Sequence, residues 1–583
     1  MMRVFFEKNF QLTVEKFIRS FYFLIFVFLL AFSLFSECRL FLLHLIQNNF
    51  HHSLNIPFWN HWLQIRFFVL LFLFLFFVLV QQNIVLKSNK LNLNYLNNLN
   101  NFIIQNRWLF LIAFSLLCWL YGNQIYVLNA RLDVQTHINN NPDIPVQFYT
   151  GRYADYFTRL LFELNDFNPY YSTFLAFVFI LFSLILFSYS CFQIGNLKPF
   201  FSTSLFVLFL THPIWVEQFY FNHQILEVCF ALFLIFILLF SLYRYSICPP
   251  PRKFYYIGFF IFVFIYINAT YQSLIILYFA LSLFYFILYY SHNSQNAWHF
   301  AFYCALVFVV GYILNEIITR IYLNGEIAYF KVQICWNKNQ NTLCFKNIFM
   351  HFYYVIFSNL IVYGLGYFVG FCLLLIAFFK YASVRKLPIL CVLFLLEMAP
   401  FILTFYSGEV DQALRSQLTL PFVIAANCGL ALYYLPQKSL AKMLAIFAVV
   451  AIFLQQMHSV FRLQYAENLR FQNDILLAMR IEMELAQNNW EPSKPVVFVG
   501  SVAPRLNSVS AIGHYVGLPI SQFGRMHDFM QSMGFPIVDG NHQQKEIAWK
   551  HSPKMKTFPQ KGFVENLGDF YAIKLGEPIV SPE

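Results

Sequence analysis

Long apolar runs, separated by short polar stretches, dominate the chain. A helix needs about 20 apolar residues to cross a bilayer. Runs of that kind fall near residues 20–40, 67–86, 108–128, 171–192, 200–217, 224–243, 254–268, 272–290, 300–319, 355–379, 387–406, 418–434 and 440–456. The stretch 254–290 is continuous except for Asn268-Ala269-Thr270-Tyr271-Gln272. The first run follows a basic start but is too long for a signal-peptide core and lacks a small-residue cleavage site, so it reads as a membrane helix. Residues 87–106 are Asn-rich and of low complexity. After residue 457 the pattern changes. His458 to Asn488 reads as an amphipathic helix with Phe461, Tyr465, Leu469, Leu476 and Ile481 on one face. Pro495 to Gly500 then reads as a short buried strand, and further αβ character follows through Phe570.

The predicted architecture is an all-α polytopic membrane protein of about 11–13 transmembrane helices with a small C-terminal α/β extracytoplasmic domain. Its parts are a two-helix membrane extension (1–86), an Asn-rich cytoplasmic linker (87–107), a transmembrane bundle (108–456) and the outer domain (457–583).

Composition supports this class. The chain is 59% hydrophobic and 11% charged, with 77 Phe among 583 residues. An average soluble domain is about 25% charged, and a globule in water must cover itself with polar groups. The net charge of +11 sits mainly in short loops, as expected of cytoplasmic loops facing an anionic leaflet and not of nucleic-acid binding. With the N-terminus inside and every span alternating, the inner segments hold sixteen basic residues and the outer loops eight, leaving aside Arg39 and Arg66 at span edges. That orientation puts 129–170, 320–350, 407–417 and the tail after 457 outside. Of the eleven Cys, most lie in apolar runs. Cys335 and Cys344 share an outer loop, where a disulfide and two free thiols are both open readings.

Candidate chemistry gathers on the predicted outer face, where charges near span ends call for a reason. Asp133 lies just beyond a membrane exit, and Gly151-Arg152-Tyr153-Ala154-Asp155 opens an amphipathic stretch. In that stretch Tyr153, Tyr156, Phe157, Leu160 and Leu161 fit the interface, and Arg152 and Asp155 face water. A carboxylate at the membrane surface can deprotonate an acceptor hydroxyl in glycosyl transfer. A helix-end Asp in an ordinary surface loop is the plainer alternative. A second cluster is Thr211-His212-Pro213-Ile214-Trp215-Val216-Glu217-Gln218 with Asn222-His223. There Trp215 reads as part of the aromatic belt, and Glu217 is harder to dismiss. The third is Tyr271-Gln272. The fourth is Arg415, able to grip a phosphate with its planar fork or to pair with Asp411 four residues earlier. There is no P-loop, GxGxxG, HExxH or GxSxG. Glu37, Glu227, Glu316 and Glu397 are scattered singly, unlike the acidic run of a proton-coupled transporter.

This order of features resembles the bacterial serotype-converting glucosyltransferases of the Gtr type, which modify O-antigen, and more broadly membrane glycosyltransferases of the GT-C fold. The resemblance is carried by Asp133 followed by Gly151-Arg152-Tyr153, by the turn from Pro213 to Glu217, by Tyr271-Gln272, and by an Arg- and Gln-rich helix leading into Lys494 to Gly500. It implies a polyprenyl-phosphate-linked hexose donor, most simply glucose, and a lipid-linked glycan acceptor at the periplasmic face of the inner membrane. It implies Asp133 as base, and Arg415 and Arg152 as phosphate ligands. Asp155 is then a candidate second carboxylate, and Glu217, His223, Tyr271 and Gln272 are substrate-binding candidates. No cofactor is expected, and a metal is not obligatory with a monophosphate leaving group. The family often shows two adjacent acids where this chain has Leu132-Asp133. Either Asp155 supplies the second, or the acceptor is held differently. An O-antigen polymerase would be expected to carry a large late outer loop with several Arg, and 320–350 has only Arg320. A lipid-linked oligosaccharide flippase would need polar groups at midplane, where these spans are Phe, Leu and Ile.

Overall fold

The computed structural model describes residues 94–125, 151–162, 164, 168–248, 253–323, 334–338, 341–357, 364–381, 386–409, 414–436, 439–502 and 526–577. The predicted spans 20–40 and 67–86, and Asp133, lie outside them. The chain divides into two compact units. One comprises residues 1–102 and 157–165, and the other residues 103–156 and 166–583. Described residues of the first unit are the opening of α1 (Asn94–Tyr121) and the second half of α2 (Tyr153–Leu161). Helix α1 begins inside the Asn-rich stretch.

The larger unit is mostly helical: α3 (Pro169–Gly195), α4 (Pro199–Leu210), α5 (Ile214–Tyr220), α6 (Ile225–Ile247), α7 (Lys253–Thr270), α8 (Ser273–Tyr290), α9 (Ser294–Leu323), α10 (Asn341–Phe357), α11 (Gly366–Tyr381), α12 (Lys386–Met398), α13 (Ile402–Ser407), α14 (Thr419–Tyr434) and α15 (Leu440–Gln487). Among the described residues seven helices are long and apolar enough to cross a membrane, or eight if the bent pair α4–α5 is one span. Helices α7, α11 and α14 contribute shorter apolar segments. Each of the eleven predicted runs from 108 to 456 therefore contains helix, and among the described residues seven or eight of them reach full spanning length. Helices α6 and α8 are enclosed. By contrast α1 and α9 turn Trp108, Ile112, Trp119, Phe302, Val309 and Ile313 outward. Apolar faces of this extent suit hydrocarbon and not water.

Three segments depart from the pattern reading. The run 200–217 is not one helix. It bends by 65° between α4 and α5, because Pro213 cannot donate a backbone hydrogen bond and Thr211 and His212 end α4. Residues 341–357, expected mainly as loop, form α10. The last span and the amphipathic helix are a single helix of 48 residues, α15, with no Gly or Pro to interrupt it and with the Ser439 hydroxyl accepting from the Lys442 backbone N–H at 3.2 Å. At 1.5 Å per residue it is about 70 Å long, more than twice a hydrocarbon core of about 30 Å.

The buried face of α15 also differs from the expected one. Phe461, Tyr465 and Leu476 are exposed, while Leu463, Glu467, Arg470, Asp474, Ala478, Ile481 and Leu485 are buried. Those positions follow the helical 3–4 spacing. The charges among them, with Arg470 paired to Glu467 at 3.0 Å, disguise that row as a solvent face.

Beyond α15 lies a small three-stranded sheet with short helices, in the tail where the sequence predicts αβ character. β1 (Val496–Val499) runs parallel to the central β3 (Tyr571–Lys574), and β2 (Val564–Asn566) is antiparallel to it. Alternation along β1 sends Val496 to one core with Ile481, Leu485, Phe529 and Ile573. It sends Val497 and Val499 to another with Ala548 and Met555. Helix α15 thus forms part of the domain's core.

Candidate functional site

The bend at Thr211–Pro213 leads into α5, which carries Glu217 of the second cluster. It is tied to the ends of neighbouring helices. The Tyr121 hydroxyl donates to the Leu210 carbonyl at 2.7 Å, and Thr211 bonds the Gln456 side chain at 3.0 Å. Gln464 donates to the Leu120 carbonyl at 2.9 Å. The end of α1, the bend and the middle of α15 therefore stand at one level, from which α15 continues into the α/β domain.

Helix α5 is buried along its length and packs against the 3₁₀ turn Leu414–Ser416. This contact joins two of the predicted clusters. The Arg415 guanidinium lies 3.6 Å from the centroid of the Phe221 ring, a stacked cation–π arrangement. The partner alternative from sequence, Asp411, lies outside the described residues. His223 sits beside the same ring, at 5.5 Å between centroids.

The turn between α7 and α8 brings in the third cluster, and the segment before α2 the first. Arg152 lies 5.1 Å from the Tyr271 ring centroid and donates from Nε to Gln272 Oε1 at 3.5 Å. Gly151 permits this approach. Its φ of +72° is costly for a side chain, and that backbone conformation is the reason for glycine here. Next to it the Tyr153 hydroxyl donates to Asn315 at 2.7 Å. Burial raises the Tyr271 phenol above its usual value. The fields of Arg415 and Arg152 pull it down, as does a hydrogen bond with Ser273, and the Glu217 carboxylate adds to the rise. Arg152 lies on the Tyr271 ring, and Tyr271 also feels the charges of Arg415 and Glu217.

Of the residues singled out from sequence, Arg152, Glu217, Tyr271, Gln272 and Arg415 come together, with His223 on the same ring as Arg415. Asp155 does not face water as expected. It is buried, at 3% exposure, while Arg152 is half-buried. The reason is that Arg152 is drawn onto Tyr271 and Gln272, and the first turn of α2 is enclosed with it. Trp215 is not part of an aromatic belt. It is fully buried, edge-on to Phe209 at 5.3 Å, because the bend turns α5 into the bundle.

Phe221 escaped the sequence reading, and Gln218 and Asn222, part of the second cluster, were given no role of their own there. Phe221, the ring under Arg415, is one Phe among 77. Gln218 and Asn222 are buried, and neither side-chain amide has a hydrogen-bond partner among the described residues. Polar residues inside an apolar run were the available signal for both. Buried amides without a protein partner are rare, and they mark places that a polar ligand can complete. The other open sequence question is resolved: Cys335 and Cys344 are bridged, with 5.8 Å between their Cα atoms.

A family model described as glucosyl transferase GtrII matches residues 132–432. The match spans Asp133 and every other candidate residue named above, and ends before the α/β domain. Neither a curated protein nor a solved structure matches the chain. Since the match covers more than half of the sequence and contains the whole cluster around Tyr271, the chain belongs to the GtrII glucosyl transferase family.

Proposed function

We propose that the protein is an inner-membrane glycosyltransferase of GT-C type that moves one hexose, glucose, from a polyprenyl phosphate to a lipid-linked surface polysaccharide such as O-antigen, at the periplasmic face. The observation that carries this reading is the pair of guanidiniums, Arg152 on Tyr271 and Arg415 on Phe221, held around one buried turn beside Glu217. Breaking the bond between the sugar C1 and the phosphate oxygen leaves a second negative charge on the lipid phosphate. Fixed cations aimed at that developing charge lower the barrier. An aromatic ring lies against each guanidinium and helps hold it in place. The acceptor hydroxyl oxygen forms the new bond to C1 and gives its proton to Asp133, the general base. The amides of Gln218 and Asn222 are suited to sugar hydroxyls, which both donate and accept.

Two observations support the periplasmic face. The Cys335–Cys344 bridge belongs to an oxidising compartment, and it packs on Gly408, in the segment that leads to Arg415. Basic residues concentrate on the opposite loops. On this reading residues 108–456 are the catalytic bundle and residues 457–583 stand in the periplasm.

Membranes containing the protein, given labelled polyprenyl-phosphate glucose and a lipid-linked glycan, should add a single labelled hexose per acceptor chain. Growth of a polymer would instead identify a polymerase. Movement of lipid-linked glycan across the membrane without transfer would identify a flippase. Either result overturns the proposal.

A further inference from the structure

Helix α10 holds both ends of the segment that presents Arg415. At its N-terminal end the disulfide and its neighbours grip residues 405–409. Gly408, at φ +69°, lies so close that a Cβ there would come within 3.0 Å of the Cβ atoms of both Cys335 and Cys344. Asn347 Nδ2 donates to the Gly408 carbonyl at 2.9 Å. Trp336 Nε1 donates to the Phe405 carbonyl at 3.0 Å, and Lys338 pairs with Glu409 at 3.1 Å. One turn beyond Asn347, on the buried face that also carries Cys344 and Ile348, His351 reaches the other end. Its Nε2 is 3.4 Å from Gln417 Oε1, and its Nδ1 is 2.5 Å from the Thr404 hydroxyl. Gln417 in turn closes the Arg415 turn through its backbone N–H to the Leu414 carbonyl at 2.9 Å.

All three side chains are buried, so these bonds are shielded from competing water. The amide oxygen of Gln417 can only accept, so Nε2 carries the proton, and Nδ1 then accepts from Thr404. This arrangement uses the neutral imidazole, and burial pushes His351 down to about 4.

We infer that His351 is a positioning residue for Arg415. It fixes the turn Leu414–Ser416 to the disulfide-anchored helix α10, so that the guanidinium stays on Phe221 and aimed at the lipid phosphate. The inference rests on the reading of Arg415 as a phosphate ligand. It assigns α10 to the same reaction.

The test is steady-state transfer with varied polyprenyl-phosphate donor in reconstituted protein, for wild type, His351→Phe, His351→Gln, Arg415→Ala and the His351→Phe/Arg415→Ala pair. His351→Phe keeps the shape and removes both hydrogen bonds. It should lower kcat about tenfold, the scale of one or two hydrogen bonds, with a smaller change in the donor KM. His351→Gln, which retains a donor for Gln417, should recover most of the loss. In the Arg415→Ala background His351→Phe should add nothing, because a residue acting through another is silent once that other is gone. If His351→Phe does not fold, Gln417→Leu removes the same bond from the opposite side and should give the same pattern. Multiplying effects in the double variant, or an unchanged kcat in His351→Phe beside an impaired Arg415→Ala, would overturn the inference alone. Wild-type behaviour of Arg415→Ala would overturn the phosphate reading beneath it.

Discussion

Replacing Arg415 with alanine should lower hexosyl transfer by about 10²–10³-fold, the range seen when a fixed charge stabiliser is removed from a developing oxyanion. The size follows from the surroundings. Glu217 is the carboxylate that the turn shares with the two guanidiniums, and Arg152 already spends one donor on Gln272. Without Arg415 the lipid phosphate would leave beside Arg152 and the buried acid Glu217 with one guanidinium fewer to offset its charge. Arg415→Lys should recover only part of the loss. Lysine restores the charge but neither the flat face that stacks on Phe221 at 3.6 Å nor the bidentate fork. Transfer assays on correctly inserted variants, with donor and acceptor varied separately, measure both effects.

Asp133→Asn should reduce transfer by about 10³-fold, within the range for loss of a general base. The substitution keeps size and polarity and removes only the ability to take the acceptor proton. Donor binding should therefore persist, so the loss appears in kcat. Retained transfer at near the wild-type rate would remove Asp133 as the base and turn attention to Asp155 and Glu217, the buried carboxylates on described elements of the site.

The candidate site was partly legible because charge and polarity stand out against an apolar background. Arg152, Glu217, Tyr271, Gln272 and Arg415 are conspicuous among Phe and Leu, and the tertiary fold brings them together. The aromatic partners were not legible. Nothing local distinguishes Phe221 from other Phe, and only the packing of α5 against the Leu414–Ser416 turn selects it. His351 and Gln417 were hidden for a related reason, since their role is a contact between α10 and a turn 66 residues away. In the fold, the bend before α5 was marked by Pro213, but an apolar count across 200–217 smooths it over. The stem of α15 misled in the other direction. Its buried row contains Glu467, Arg470 and Asp474, and hydrophobic periodicity cannot find a face that is partly charged.

The central claim is that the lipid phosphate of the donor rests between Arg152 and Arg415, over Tyr271. A photoactivatable polyprenyl-phosphate hexose, bound to the reconstituted protein and irradiated, tests this most directly. The account predicts crosslinks in peptides containing Arg152, Phe221, Tyr271 or Arg415, suppressed by excess unlabelled donor and weakened in Arg415→Ala. Competable labelling that falls entirely on other segments would contradict it.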